Sequence, residues 1–457
     1  MDSLLKNKHL MSRAGFGISI DQADYINEQT PRKISETLFR EYPFTEILYQ
    51  TPDYIKAESN DSKLNAEQRR LQQKTNQKQN EELNLNFLMN MVYGKDQLTE
   101  KMAFFWHGHF ATRIINPKFN QQLLNFIRKN ALGSFRNLLI GVSKSPAMLS
   151  FLNNQQNKKD HPNENFAREV MELFTMGRGN YSETDVKELA RAFTGWGYDK
   201  EGNFKERKNH HDEGEKTFLG KKGKFNGDDV LEIILEQKST AQFITEKIYR
   251  FFVNEIPNQS IISKLSKDFY ESDYNIKSLM KSIFTSKWFY DQKNIGNRIK
   301  SPTELIVGMM RILPMEIQNP ENIVIYQKLL GQMLLYPPNV AGWPNGKSWI
   351  DSSTLMLRMQ IPQIWSGIIP MEYSAREDDD IDMGMKSREV LNKSYKNPNI
   401  KINWQTVKDI FKNKNPHDYL IINSDSVNMN IVEQFSSDTD QINTIINIMS
   451  TPEYQLM

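Results

Sequence analysis

Apolar residues recur along most of the chain at the spacing of one helix face. In the stretch 186–193, positions 186, 189, 190 and 193 are apolar, a stripe that a helix buries against a core. Comparable stripes follow one another from residue 98 to residue 361 and again near the C-terminus. The pattern predicts a mainly α fold, a large assembly of roughly fifteen helices that forms a single domain over residues 1–457.

Three stretches depart from this pattern. Residues 60–92 are polar and rich in Gln, Lys and Glu, which predicts an exposed helix or a partly disordered arm. Residues 197–225 form a glycine-rich insertion, either irregular or folded as a small β-hairpin. Residues 371–400 are acidic and polar, as expected of a linker before the C-terminal helices.

Two helix starts are marked by capping residues. Ser301-Pro302-Thr303-Glu304 combines an N-cap serine, a first-turn proline and a glutamate at the third helical position. Ser182 and Asp185 form a similar pair.

Composition narrows the classes of function. The net charge is +2, so no strong basic field indicates nucleic-acid binding. The chain has no cysteine, which excludes disulfides, thiolate metal sites and a cysteine nucleophile. The N-terminus lacks a signal-peptide pattern, and no apolar run approaches the roughly 18 residues of a membrane span. The sequence alone therefore predicts a cytoplasmic protein without a transmembrane segment.

His107 and His109 flank a glycine in the aromatic stretch FFWHGHF. On a helix they would face different directions, whereas on an extended or broken segment they would face one ligand. They are candidate ligands of a divalent metal or an acid–base pair. The alternative is that both are polar groups hydrogen-bonded inside an aromatic core.

The stretch 164–196 carries candidate catalytic carboxylates. Glu169 and Glu172 are three residues apart, and Asn165 precedes them by one helical turn. Such carboxylates can bind a metal or divide acid and base roles if they point into a pocket, with Asn165 contacting the substrate. Ion pairs along Glu164, Arg168 and Glu172 on a solvated face are the alternative.

Two loops carry further candidates. His211 and Asp212 could supply a catalytic base with an acidic partner, and Lys216 a cation for an anionic substrate; a plain surface loop is the alternative. Trp343 and Trp349 could stack on a sugar ring or fill the core beneath a long loop.

Taken together and in order, seven motifs resemble the bacterial family catalogued as domain of unknown function 1800, in the style of members from Bacteroidota. The motifs are RAGFG (13–17), FWHGHF (105–110), the stretch 163–196, HDEGEKTFLG (211–220), RIKSPTELIVGMMR (298–311), the stretch 337–359 and STPEYQL (450–456).

The resemblance implies no settled activity. Family members are often exported and often encoded beside a family that resembles sulfatases and phosphatases, which implies a periplasmic or exported protein and such a partner. Many members read Glu-Leu-His-Thr where this chain reads Glu172-Leu173-Phe174-Thr175, so a metal site that needs that histidine does not carry over.

The leading hypothesis is an enzyme with a polar pocket of histidines and carboxylates, a hydrolase in the simplest case, with or without a divalent metal. Its substrate would be an anionic or carbohydrate-containing polymer of the cell envelope. The alternative is a non-catalytic helical scaffold that presents Trp343, Trp349 and the 60–92 helix to a partner.

Overall fold

The computed structural model describes residues 3–50, 65–371, 399–422 and 441–457. The described residues form twenty α-helices and three small two-stranded antiparallel sheets. The predicted mainly α fold is therefore confirmed. The helix number exceeds the predicted fifteen because several helices, such as Ala23–Glu28 and Pro146–Phe151, have only 6 residues and leave no clear periodicity.

The helices are numbered in chain order. They are α1 Ser3–Ala14, α2 Ala23–Glu28, α3 Pro31–Leu38, α4 Ala66–Tyr93, α5 Gln97–His109, α6 Pro117–Asn130, α7 Phe135–Ser143, α8 Pro146–Phe151, α9 Glu164–Glu169, α10 Glu183–Ala192, α11 Gly227–Leu235, α12 Lys238–Phe252, α13 Gln259–Glu271, α14 Ile276–Thr285, α15 Pro302–Ile312, α16 Glu321–Leu329, α17 Ser352–Trp365, α18 Trp404–Phe411, α19 Pro416–Leu420 and α20 Gln441–Met449.

The strands form three antiparallel pairs. They are β1 Trp196–Tyr198 with β2 Phe204–Glu206, β3 Lys216–Phe218 with β4 Lys221–Gly223, and β5 Met315–Ile317 with β6 Ile400–Ile402. The first two pairs lie within the predicted insertion 197–225, except that β1 begins one residue earlier, at Trp196. They confirm the predicted hairpin character of the insertion. The third pair joins distant parts of the chain, which local sequence patterns do not reveal.

Both predicted capping boxes are present. At the start of α15, Ser301 Oγ accepts from Glu304 N at 3.3 Å, and Ser301 N donates to the Glu304 carboxylate at 2.8 Å. Ser182 and Asp185 make the same exchange at the start of α10. Each box satisfies two backbone groups that a helix end would otherwise leave unpaired.

The long helix α4 is only partly the exposed element predicted for residues 60–92. Its first turns are exposed, but Leu83, Phe87 and Met91 in its second half are fully buried. Asn84 is also buried and exchanges hydrogen bonds with Gln327 of α16. The buried asparagines hid this core-facing side from a count of apolar residues. Residues 60–64, and residues 372–398 of the predicted acidic linker, lie outside the described residues.

The hydrophobic core draws on both ends of the chain, from Leu10 of α1 to Tyr454. Beside it lies a cluster of buried charges. Glu304 pairs with Lys101 at 2.6 Å and with Arg298 at 3.0 Å, and all three side chains are nearly inaccessible to solvent. Burial alone would raise the pKa of Glu304, but Arg298 and Lys101 hold that pKa far below its usual range. This cluster fixes the start of α15 against α5.

Candidate functional site

The chain remains helical beyond the end of α9 at Glu169. It continues as a π-helix over Val170–Thr175, a rare form that often occurs at functional sites. Gly177 closes the segment with a left-handed φ of 75°, and its N–H donates to Met171 O at 3.0 Å. The segment thus presents its last carbonyl groups to neighbouring elements.

Two of these carbonyls hold a lysine and a histidine together. Lys247 Nζ, from α12, donates to Leu173 O at 3.0 Å, and His109 Nε2, from α5, donates to Phe174 O at 3.1 Å. The backbone of this segment, and not the acidic side chains of Glu169 and Glu172, therefore positions the lysine and the histidine. Phe174 lies against the His109 ring with centroids 6.1 Å apart.

The pair itself is direct. Lys247 Nζ lies 3.2 Å from His109 Nδ1. Because Nε2 carries the proton donated to Phe174 O, Nδ1 is the bare nitrogen that accepts from Lys247. Burial, and next the adjacent Lys247, keep the pKa of His109 well below 6.5, so its ring is neutral. Burial lowers the pKa of Lys247 to about 8, so a substantial fraction is the neutral amine near physiological pH.

Both residues line a cleft of about 500 Å³, named here the Lys247 cleft. Its walls come from α5, α12, the segment 298–301 and the loop 341–349. The aromatic lining residues are Phe104, Phe105, Phe251, Trp343 and Trp349. The polar lining residues are His109, Lys247, Arg250, Glu255, Arg298, Ser301, Gln332 and Asn345.

The cleft is cationic. Its lining includes three basic residues, Lys247, Arg250 and Arg298, and one carboxylate, Glu255. Arg250 also forms an ion pair with Glu246 at 2.8 Å. Arg298 stacks on the Phe251 ring, 4.3 Å from its centroid, while Glu304 holds its guanidinium. Glu255 Oε1 is buried without a hydrogen-bond partner among the described residues. An unsatisfied acceptor of this kind favours a ligand hydroxyl or a water.

The candidate carboxylates Glu169 and Glu172 lie outside the Lys247 cleft. Glu172 accepts from Arg178 at 2.6 Å and from the Tyr181 hydroxyl at 3.1 Å. Burial first, and then Glu172, raise the pKa of Glu169. Asn165 is exposed. None of Asn165, Glu169 and Glu172 lines the Lys247 cleft. Of the ion pairs in the alternative interpretation, Glu164–Arg168 is present at 3.1 Å, whereas Glu172 pairs with Arg178 instead of Arg168.

His211, Asp212 and Lys216 connect the insertion to α10. His211 Nδ1 lies 2.9 Å from Thr194 O, and Asp212 accepts two hydrogen bonds from Arg191, at 2.7 and 3.3 Å. Lys216 Nζ donates to the carbonyls of Asp212 and Gly214 within its own loop, and its side chain is buried. Their hydrogen-bond partners are therefore Thr194, Arg191 and backbone carbonyls of the loop, and none of the three lines the Lys247 cleft.

His107 and His109 face different partners because their segment is helical. His107 Nε2 accepts from Leu335 N at 3.1 Å, which holds Leu335 in a left-handed conformation with φ 69°. Burial lowers the pKa of His107 to about 4. The two histidines considered as metal ligands therefore have separate positions: His107 fixes a turn, and His109 lines the Lys247 cleft. In the described part of the chain, no group of three or more His, Asp or Glu side chains could hold a metal ion.

Trp343 and Trp349 are nearly enclosed, with 9% and 4% of their surfaces exposed. They still line the Lys247 cleft, so both earlier interpretations apply in part: the rings fill space beneath a loop and form one wall of a pocket. This burial disfavours the scaffold hypothesis, in which they would form an open binding face.

Of the ten candidate residues, the cleft gathers His109, Trp343 and Trp349. Sequence reasoning missed Lys247, Arg250, Glu255 and Arg298. Lys247 and Arg250 read as the polar side of an ordinary amphipathic helix, so no local signal marked them.

A family model described as "Protein of unknown function (DUF1800)" matches residues 9–456. The chain belongs to the DUF1800 family. The match covers nearly the whole chain, so the Lys247 cleft lies within the part that the DUF1800 model describes. No curated protein and no solved structure matches the chain. Among the described residues of this DUF1800 protein, no helix has the length and apolar content needed to cross a lipid bilayer.

Proposed function

We propose that the chain is an enzyme that binds an anionic, carbohydrate-containing substrate in the Lys247 cleft. Lys247 and His109 would transfer protons during the reaction, in the simplest case a hydrolysis. The observation that carries the proposal is the contact between Lys247 Nζ and His109 Nδ1, 3.2 Å apart in the wall of a cationic cleft. A pKa of about 8 allows Lys247 to accept and donate a proton near neutral pH.

The lining of the cleft supports the substrate class. Trp343 and Trp349 form one wall of the cleft, and aromatic walls of this kind can pack against a sugar ring. Arg250 at the partly exposed rim supplies a cation for a carboxylate or sulfate group. Glu255 adds a carboxylate to the polar lining of the cleft.

The biological setting of the proposal rests on the family resemblance. An envelope or extracellular polymer as the substrate, an exported location and a sulfatase- or phosphatase-like partner all derive from it. The sequence without that resemblance predicts a cytoplasmic protein. Acid–base chemistry by Lys247 and His109 requires no divalent metal, and the described residues add no three-ligand group for one.

The first prediction concerns substrate preference. An oligomer of galacturonic acid should bind at least about tenfold more tightly than a neutral glucose oligomer of equal length, because one charge-assisted contact is worth about 1.5–3 kcal/mol. Titration calorimetry measures both affinities, and a reducing-end assay detects cleavage. Arg250→Met should reduce the preference, whereas Lys247→Met should bind the acidic oligomer without cleaving it.

Arg168→Met is the matched control, because Arg168 is also a partly exposed, ion-paired arginine but does not line the cleft. Equal affinity for the two oligomers in the unmodified protein would contradict the proposed substrate class. Tight binding without any product would favour the alternative, a non-catalytic binding protein.

A further inference from the structure

Lys247 is held by neutral acceptors only. Its Nζ contacts His109 Nδ1 and Leu173 O, and no carboxylate among the described residues forms an ion pair with it. Its charge also lies over the Phe243 ring, 4.8 Å from the ring centroid, an interaction weaker than a counter-ion. Buried lysines normally pair with carboxylates, as Lys101 does with Glu304.

The number of hydrogens favours the neutral amine. A neutral amine carries two N–H hydrogens, which match the two acceptors, and its lone pair remains available in the remaining direction. An ammonium group carries three N–H hydrogens, and the third finds no hydrogen-bond acceptor among the described residues. Deprotonation of Lys247 therefore leaves a nucleophilic amine that opens on a cleft of about 500 Å³.

We propose that Lys247 is a carbonyl-reactive lysine that forms an imine with an aldehyde or 2-oxo compound bearing an anionic group. The anionic group is selected by Arg250 and Arg298, which share the cleft. The inference goes beyond the proposed function and does not depend on a saccharide as the substrate. It adds a covalent site for a second chemical class of ligand.

The reaction balances without an oxidant or reductant. The lone pair of Nζ attacks the carbonyl carbon, a C–N bond forms, and the carbonyl π electrons move to oxygen, which takes a proton. His109 Nδ1, the base in contact with Nζ, accepts the proton that nitrogen loses. Return of that proton to the hydroxyl group releases one water molecule as the C=N bond forms, and the second N–H proton of Lys247 replaces the proton that the carbonyl oxygen took from solvent. Hydrolysis is the reverse of these steps.

Other buried lysines provide an internal comparison. Lys216 also donates to two backbone carbonyls, and burial lowers its pKa. Its side chain, however, is enclosed in its own loop and does not line the cleft. If a low pKa alone produced reactivity, Lys216 would react as well. If access from the cleft is also needed, Lys247 reacts and Lys216 does not.

The second prediction tests this reactivity with glyoxylate as the anionic aldehyde and cyanoborohydride to reduce the imine to a stable amine. At pH 7.5 we expect Lys247 to be modified at least about tenfold faster than any exposed lysine, as located by peptide mass spectrometry. The full-length protein is used throughout. Acetaldehyde, which has no anionic group, should show a smaller preference for Lys247.

Two variants separate the roles of the residues. Lys247→Arg keeps a cation and cannot form an imine, so the fast-reacting site should disappear. His109→Phe keeps an aromatic ring but removes the base, so modification of Lys247 should slow and its pH profile should change. Modification of Lys216 at the rate of Lys247, or of Lys247 no faster than exposed lysines, would overturn the inference. Both outcomes are measured on the wild-type protein, so they do not depend on the folding of a variant.

Discussion

At the scale of single residues, the charge of Lys247 opposes folding. An unfolded chain leaves the lysine with a pKa near 10.4, whereas burial lowers the pKa in the folded protein to about 8. Between these values the unfolded state binds more protons than the folded state, so stability rises with pH. Below about pH 8 both states are protonated, and the folded state bears the full cost of the buried charge.

The third prediction follows from this linkage. Lys247→Met removes the titrating group. As the pH rises from 8 to 10, the free energy of unfolding of the wild-type protein should therefore increase relative to that of the variant. The full shift corresponds to at most about 3 kcal/mol. Urea denaturation at several pH values measures it. The prediction concerns the slope, since the lost hydrogen bonds of Lys247 affect all pH values alike.

Lys205→Met is the control for loss of a positive charge from an exposed position. A stability difference for Lys247→Met that is independent of pH would show that the folded protein does not depress the pKa of this lysine.

At the scale of elements, the π-helix Val170–Thr175 is the feature that converts a surface helix into part of a site. Its exit depends on Gly177, which has φ 75° and lies where a Cβ atom would come within 2.8 Å of the Phe243 ring. Phe243 precedes Lys247 by one turn of α12. The turn after the π-helix and the position of Lys247 are therefore mechanically connected.

The fourth prediction compares two glycines. Gly177→Ala should destabilise the protein by about 1–3 kcal/mol more than Gly179→Ala, because only the first adds a clash to the left-handed backbone strain. Gly179 has φ 85° with open space around its missing Cβ, which makes it the matched control. Thermal or urea denaturation measures the difference. Gly177→Ala should also slow glyoxylate modification of Lys247, and equal effects of both substitutions would contradict this connection.

The sequence predicted the two helices of this region and the capping box at Ser182, because apolar periodicity and caps depend on residues within one or two turns. The sequence did not predict the π-helix, because the residue types of Val170–Thr175 also occur in ordinary α-helices. It also assigned the chemistry to Glu169 and Glu172, since only side chains are visible in a sequence. The structure assigns the positioning role to two backbone carbonyls, at Leu173 and Phe174.

At the scale of the whole molecule, the buried charge cluster joins distant parts of the chain behind the cleft. Glu304 of α15 holds Lys101 of α5 and Arg298, and Arg298 is itself a lining residue. Arg13 of α1 is fully buried nearby, and its pKa is lowered to about 9 by burial and next by Arg298. Glu304 thus compensates the charges of several buried cations. Loss of its carboxylate leaves Lys101 and Arg298 buried without this counter-ion.

The fifth prediction is that Glu304→Gln costs about 3–5 kcal/mol of unfolding free energy, because it leaves Lys101 and Arg298 without their counter-ion. Urea denaturation at neutral pH measures the loss. Glu183→Gln breaks an exposed pair with Arg168 and should change stability little. A loss for Glu304→Gln as small as that of this control would mean that the cluster is not held by its charges.

The sequence by itself determined the mainly α fold, several helix starts, the hairpin insertion and, through ordered motifs, the DUF1800 family. Each of these is encoded within a short stretch, where spacing and caps are read directly. Only the tertiary structure decided which polar residues share a cleft. Lys247 and His109 are 138 residues apart, and the carbonyls that join them carry no side-chain identity. Burial, which changes the pKa of both residues, is likewise a property of the packed molecule and not of any local stretch.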